Sequence, residues 1–223
     1  MSLIAKELIS DTITSVDPND KGEKILFMMN IFQVKNLPIV KDNKLINIIE
    51  EDDILTNGFD KKTSEYQLSN KKVYVTKNCH IFNIIDKLAK NDLSIIPVVD
   101  EEENYMGCIA QQDIFQYFGD IFSFEFPGSI IELTIPVRDY SLQQISHIVE
   151  SENASIIGLM INDENPKDTY MDVIIKLNKK NISGIISAFE RFEYKIKASY
   201  SSENYSLDTL KERYDALMHY LNV

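Results

Sequence analysis

The chain has 223 residues, 44% hydrophobic and 26% charged, with a formal net charge of −12 at pH 7. That length accommodates one large domain or two smaller ones, each burying its own core. The surplus negative charge repels a phosphate polyanion, which argues against general nucleic-acid binding, and no apolar run reaches the ~18 residues of a membrane span.

The first clear element is amphipathic: Ile25, Met28, Met29 and Phe32 fall on one helical face. Leu37-Pro38-Ile39-Val40 reads as a short apolar strand, residues 41–44 as a polar turn, and residues 45–49 as a second strand. Glu50-Glu51-Asp52-Asp53-Ile54-Leu55 opens a further helix. The same order then returns. Ile81, Ile84, Ile85 and Leu88 form a helical stripe, Ile96-Pro97-Val98-Val99 a strand, residues 105–109 its hairpin partner, and Ala110-Gln111-Gln112-Asp113-Ile114-Phe115 the helix start. Pro38 and Pro97 are 59 apart (97 − 38) and Asp53 and Asp113 are 60 apart (113 − 53), so the second hairpin holds one extra residue. Self-similarity at this spacing implies two copies of one supersecondary unit packed together, residues 1–60 and 66–122 of a module covering 1–122. Carboxylates in a first helical turn favour the helix dipole, which gives Asp53 and Asp113 a structural reading as helix-start residues.

After Pro127-Gly128 the pattern changes. Ile131, Leu133, Ile135 and Val137 alternate with polar or small positions, as in a half-buried strand. Ser141 is an N-cap with Gln144 three residues on, ahead of a stripe of Leu142, Ile145, Ile148 and Val149. Strands over 155–162 and 171–177, a helix through Ile182, Ile185, Ile186, Phe189 and Phe192, and a strand over 194–200 follow. The order βαββαβ over 128–201 makes a ferredoxin-like plait, with helices on one face of an antiparallel sheet. Residues 203–223 read as a final amphipathic helix, with Leu207, Leu210, Tyr214, Leu217, Met218 and Leu221 on one side. Tyr117, Phe118, Phe122, Phe124 and Phe126 crowd the junction between modules and read as an interdomain core. The fold class is α/β of the α+β kind: a doubled unit, a plait and a C-terminal helix.

The doubled unit resembles the CBS domain pair. Leu37-Pro38-Ile39-Val40, Ile96-Pro97-Val98-Val99-Asp100, Tyr105-Met106-Gly107-Cys108-Ile109 and Asp113 carry the resemblance, while the first copy has Asn47 where the family's glycine stands. The plait resembles an ACT domain by topology, and the combination is similar to bacterial acetoin-utilisation-type CBS–ACT regulatory proteins. The resemblance implies an adenosine-containing ligand, such as AMP, ADP or ATP, in a cleft between the two units. Asp113 and Asp53 would meet ribose hydroxyls, and the backbone around Pro97-Val98 and Pro38-Ile39 would meet the base. The family's hydroxyl residue near phosphate is replaced by Glu50 in the first copy and Ala110 in the second. Glu50, with Glu51 and Asp52 beside it, repels phosphate, so the cleft of Asp113 and Ala110 is the favoured site. In the plait, the turn Arg138-Asp139-Tyr140-Ser141 lacks the glycine that eases backbone approach to a ligand, and Arg138 reads as a turn residue pairing with Asp139. Edge-strand self-association is the stronger expectation there.

Nothing in the chain argues for catalysis. His80, His147 and His219 fit no metal spacing, no glycine-rich phosphate loop or nucleophile elbow occurs, and Cys108 reads as a small buried hydrophobe. Two cysteines form no disulfide framework, and the opening residues show no cleavable signal, so a cytoplasmic location is expected. The resulting expectation is a non-catalytic, homodimeric regulator that senses an adenosine-containing molecule and acts on a protein of unknown identity. The alternative is a ligand-free interaction scaffold with degenerate sites.

Overall fold

The computed structural model describes residues 3–68, 72–121, 127–162 and 169–201. The helix expected over 203–223, and Phe122, Phe124 and Phe126 of the expected interdomain core, lie outside the described residues. The chain divides into two compact units, Met1–Phe118 and Gly119–Val223.

The first unit contains α1 (Gly22–Phe32), β1 (Asn36–Lys41), β2 (Lys44–Glu50) and α2 (Glu51–Asn57). The order recurs as β3 (Val75–Thr76), α3 (Ile81–Lys90), β4 (Ile95–Val99), β5 (Tyr105–Ala110) and α4 (Gln111–Ile121). β1 and β2 form an antiparallel hairpin, as do β4 and β5, and β3 adds in parallel to β4. Val16 bridges Ile39 in parallel as Val75 pairs with Val98, 23 residues apart in both copies (39 − 16 and 98 − 75). The two cores interlock. Ile48 of the first hairpin joins the core of Ile84, Ile96 and Ile109, while Ile95, Cys108 and Ala110 of the second join Ile25, Leu37 and Ile49.

A polar residue sits at the centre of this arrangement. Asn36 is 1% exposed, and its Nδ2 donates to the Ile95 carbonyl at 3.0 Å. Its Oδ1 accepts from the Ser94 and Ile95 amides at 2.9 and 3.2 Å and from the Ser94 hydroxyl at 2.8 Å. The Ser94 hydroxyl in turn accepts from the Lys35 amide at 2.8 Å. Asn36 and Ile95 are equivalent positions of the two copies (95 − 36 = 59). One side-chain amide thus supplies the donor and acceptor that join β1 to β4 where the backbones do not pair directly.

The segments that precede the two repeats exchange places. The 3-10 turn Ala5–Glu7 lies on the second repeat, with the Ala5 amide donating to the Cys79 carbonyl and the Ile81 amide to the Leu3 carbonyl, both at 2.8 Å. The 3-10 turn Thr63–Glu65 lies on the first, with the Thr63 amide donating to the Asp20 carbonyl at 2.9 Å and the Gly22 amide to the Lys61 carbonyl at 3.3 Å. Gly22 is required at that crossing, because a Cβ there would run into the Tyr66 hydroxyl and the Ile54 side chain.

The second unit contains β6 (Ser129–Pro136), α5 (Leu142–Ser151), β7 (Ile156–Asn162), β8 (Tyr170–Leu177), α6 (Ser183–Arg191) and β9 (Lys195–Ser201). Strand order is β7-β8-β6-β9, all neighbours antiparallel, as a βαββαβ plait requires. Ile131, Leu133 and Ile135 of β6 bury alternately against Ile145, Ile148, Ile185 and Phe189. Ser141 caps α5, its hydroxyl accepting from the Gln144 amide at 3.2 Å. Val137 departs from the strand expected for it. The ladder ends at Pro136, and Val137 opens a 3-10 turn, Val137–Asp139, with its side chain 47% exposed.

Candidate ligand-binding cleft

The register of β4 and β5 determines which side chains turn towards the first core and which towards the second. Val98 pairs with Gly107 but Val99 pairs with Tyr105, so Met106 is an extra residue in β5. A bulge resets the alternation of side chains. It turns Tyr105 onto the same face as Cys108 and Ala110, opposite Val99, Pro97 and Ile95 respectively. Gly107 permits this, with φ of +146° and Ile9 so close that an added Cβ would meet its Cγ2 at 2.5 Å. Ile96, Val98 and Ile109 point the other way, into the second core. Of the expected contacts, then, Pro97 and Ala110 share the face of Cys108, which turns towards the first core. The Val98 side chain does not, which leaves only its backbone. Ile39 is likewise buried in the first core, and Pro38, opposite Ile48, lies on the other face of β1.

α4 begins directly after Ala110, and its first amide, that of Gln111, already donates to the Ser94 carbonyl at 2.9 Å. Asp113 lies in its first turn, near Cys108. The Asp113 Oδ2 and the Tyr105 hydroxyl are both buried, and neither has a hydrogen-bond partner among the described residues. The Tyr105 hydroxyl abuts the Cys108 thiol, but a thiol is a weak donor and acceptor and the contact does not reach hydrogen-bond geometry. Burial pushes the Cys108 thiol up to about 11, with the Asp113 charge adding to the rise. Burial likewise drives the Tyr105 hydroxyl well above the usual phenol range, so it is a protonated donor at physiological pH. The Ile13 carbonyl, 4.0 Å from the Cys108 sulfur, borders the same space. One turn beyond Asp113 on α4, the Tyr117 hydroxyl is also buried without a partner.

The equivalent positions of the first repeat are arranged differently. Asp53 is 3% exposed and belongs to a capping box: its Oδ2 accepts from the Glu50 amide at 3.0 Å, and the Glu50 side chain accepts from the Asp53 amide. Leu45 stands where Tyr105 stands, Ile48 where Cys108 stands, and both are buried. Asn57, the counterpart of Tyr117, donates to the Asp53 carbonyl at 2.8 Å and accepts from the Gln67 amide at 3.2 Å. Internal bonds hold this side closed. Tyr105 was invisible to sequence reasoning as a site residue, because an aromatic in an alternating strand reads as core; the Met-Gly pair after it is the one local sign of a bulge.

In the plait, an open cavity of about 410 Å³ is walled by Thr134, Asp139, Gln144, Tyr194 and Lys195, among others, but not by Arg138. Arg138 is exposed and pairs with Asp139 at 3.5 Å. Among the described residues, no cluster of His, Cys, Asp and Glu could hold a metal ion, and no helix is long and apolar enough to cross a membrane.

The family model for the CBS domain matches residues 5–59 and 65–120. A CBS domain-containing protein of Methanocaldococcus jannaschii is 22% identical over 120 residues, 53% of this chain and 97% of that protein. An uncharacterised protein of the same archaeon is 24% identical over 115 residues, 51% of this chain, and the match spans only 43% of its length. Among solved structures, a CBS domain pair/ACT domain protein of Thermotoga maritima is similar with 16% identity and a TM-score of 0.46, over 54% of this chain and 98% of that one.

Proposed function

We propose, from the premise that the chain belongs to the CBS-domain family through paired domains at residues 5–59 and 65–120, that it is a non-catalytic regulatory protein sensing an adenosine-containing ligand in the Asp113 cleft. The observation that carries this reading is the inequality of the two aspartates. The Asp53 carboxylate caps its own helix, whereas the Asp113 Oδ2 is buried with no partner among the described residues. A buried acceptor without a donor costs about 1–3 kcal/mol, and a ligand hydroxyl removes that cost. Ala110 offers no hydroxyl and the Gln111 amide is engaged, so a terminal phosphate gains little at this helix start. The ligand class is therefore set by the adenosyl group, with AMP, ADP, ATP and adenosyl sulfonium compounds as the set to test.

The experiment is thermal unfolding of the purified chain with each of these ligands at high concentration. A ligand at 100 times its Kd stabilises the native state by ~2.7 kcal/mol. The expected result is a dose-dependent shift that Asp113→Ala abolishes. Asp53→Ala is expected to keep the shift while lowering the unliganded midpoint, because it removes a cap. No shift with any ligand favours the scaffold reading, which Ala110 and the closed first-repeat side support. Self-association of the chain is part of the same reading. It is supported by β7, an edge strand of the plait whose Met160 and Ile161 are 57% and 47% exposed, and sedimentation tests it.

A further inference from the structure

The two faces of the plait's sheet are treated differently. Both described helices of this unit, α5 and α6, pack on one face, where Ile131, Leu133, Val173 and Ile175 are fully buried. The other face carries the alternate residues of the same strands, since side chains directly opposite in an antiparallel pair share a face. There Ile130 lies between Tyr200 and Lys176, and Ile174 lies between Met160 and Glu132. Met160 and Tyr200 are 57% and 47% exposed. Glu132 and Lys176 are diagonal neighbours of opposite charge. The far end of this face is polar: the Thr134 hydroxyl donates to Asp172 at 2.8 Å, and Lys197 pairs with the same carboxylate. The apolar end is the end at which the chain leaves the sheet, because β9 stops at Ser201, beside Tyr200 and opposite Ser129.

Residues 203–223 start two positions later and carry the stripe Leu207, Leu210, Tyr214, Leu217, Met218 and Leu221. A stripe of this length needs an apolar surface to cover it. As a helix these 21 residues (223 − 203 + 1) run about 31 Å and measure about 10–12 Å across. β6 and β8, of 8 residues each, run about 27 Å, and the outer strands of the sheet lie about 14 Å apart. One helix thus matches the sheet in length, covers its central strands and reaches them without a linker. The charges are also opposed. The segment has a net charge of −2 (2 − 4), while the face sets Lys176, Lys195 and Lys197 against Glu132 and Asp172. We propose that residues 203–223 dock as a helix on this open face, closing the plait into three layers with helices on both sides of the sheet. A protein partner of this face then reaches it only by displacing the segment. The proposal is independent of the adenosyl reading.

The chain contains no tryptophan, so one introduced on the face reports that face alone. The test measures tryptophan emission and acrylamide quenching of the full chain carrying Tyr200→Trp or, separately, Met160→Trp. Each is made with the native segment and with the pair Leu210→Lys and Leu217→Lys, over a range of protein concentrations. The native segment is expected to give blue-shifted emission and slow quenching at both positions and at every concentration. The lysine pair is expected to shift the emission to the red and speed the quenching, while circular dichroism shows the fold retained, since the plait core is complete without these two leucines. Red, readily quenched emission at both positions with the native segment overturns the proposal, and that result needs no segment variant. Shielding that survives the lysine pair overturns it as well, and where such shielding grows with concentration a second copy is the cover instead.

Discussion

Replacing Asn36 by leucine tests whether a single amide joins the repeats. The two side chains are close in size, so packing changes little, and the loss falls on hydrogen bonds. Three backbone groups lose their partner: the Ser94 amide, the Ile95 amide and the Ile95 carbonyl. The Ser94 hydroxyl keeps its bond from the Lys35 amide. Leaving a buried backbone group unpaired costs about 1–3 kcal/mol, and burying extra apolar surface returns about 1–2 kcal/mol, which leaves a net destabilisation of about 3 kcal/mol. The first unit is best followed by a probe that lies within it. Cys108 is fully buried there, so a pulse of thiol reagent along a urea series reports its opening. The Asn36→Leu midpoint should fall, with the slope of the transition unchanged. A loss below about 1 kcal/mol refutes the reasoning, because the three groups must then have found other partners.

Alkali should weaken the first unit before the second. Cys108 holds its proton in the folded state up to about 11, against an ordinary value of 9.0, so its contribution is complete below pH 9 and is lost as the pH rises towards 11. That amounts to about 2–3 kcal/mol, the Tyr105 hydroxyl continues the loss at higher pH, and Cys108→Ala should flatten the decline between pH 9 and 11 in urea titrations. In the plait, hydrogen bonds from Lys197 and then Thr134 hold the Asp172 carboxyl below its ordinary 3.8, so its contribution is present above that pH and lost as the pH falls through the depressed value. Asp172→Asn should be less stable than wild type at neutral pH by circular dichroism, and the difference should close in acid; a pH-independent difference counts against the linkage.

Features encoded by local periodicity were legible in the sequence. Stripes at 3.6 residues marked α1, α3, α5 and α6, alternation marked β6, and the two Pro-centred strands with their following carboxylates marked the repeat. Features that depend on distant partners were not. Asn36 opens β1, and nothing beside it in the sequence marks its role, since its partners are 58 and 59 positions away. Asp53 and Asp113 occupy equivalent positions with opposite surroundings, and what separates them is the pairing of Glu50 with one and the burial of Tyr105 and Cys108 near the other. Val137 followed the alternation of its neighbours, yet the ladder stops at Pro136 and Val137 enters a 3-10 turn, its amide donating to the Thr169 carbonyl at 3.0 Å. Periodicity reports which face a residue shares. It does not report what sits opposite.

The exchange of leading segments bears on how the chain is made. On a ribosome, the turn that lies on the first repeat follows it directly in the chain, although the first core is filled only when Ile95, Cys108 and Ala110 arrive. Residues 3–9 emerge far ahead of their seat: Ala5 waits 74 residues for Cys79 (79 − 5), and Ser10 waits 98 for Cys108 (108 − 10). Through that interval Ala5 and Leu8, destined for the second core, stay uncovered, and the first core still lacks Ile95, Cys108 and Ala110. A fusion or deletion placed before residue 10 would therefore act first on the second repeat, far along the chain, rather than on the repeat next to it in sequence.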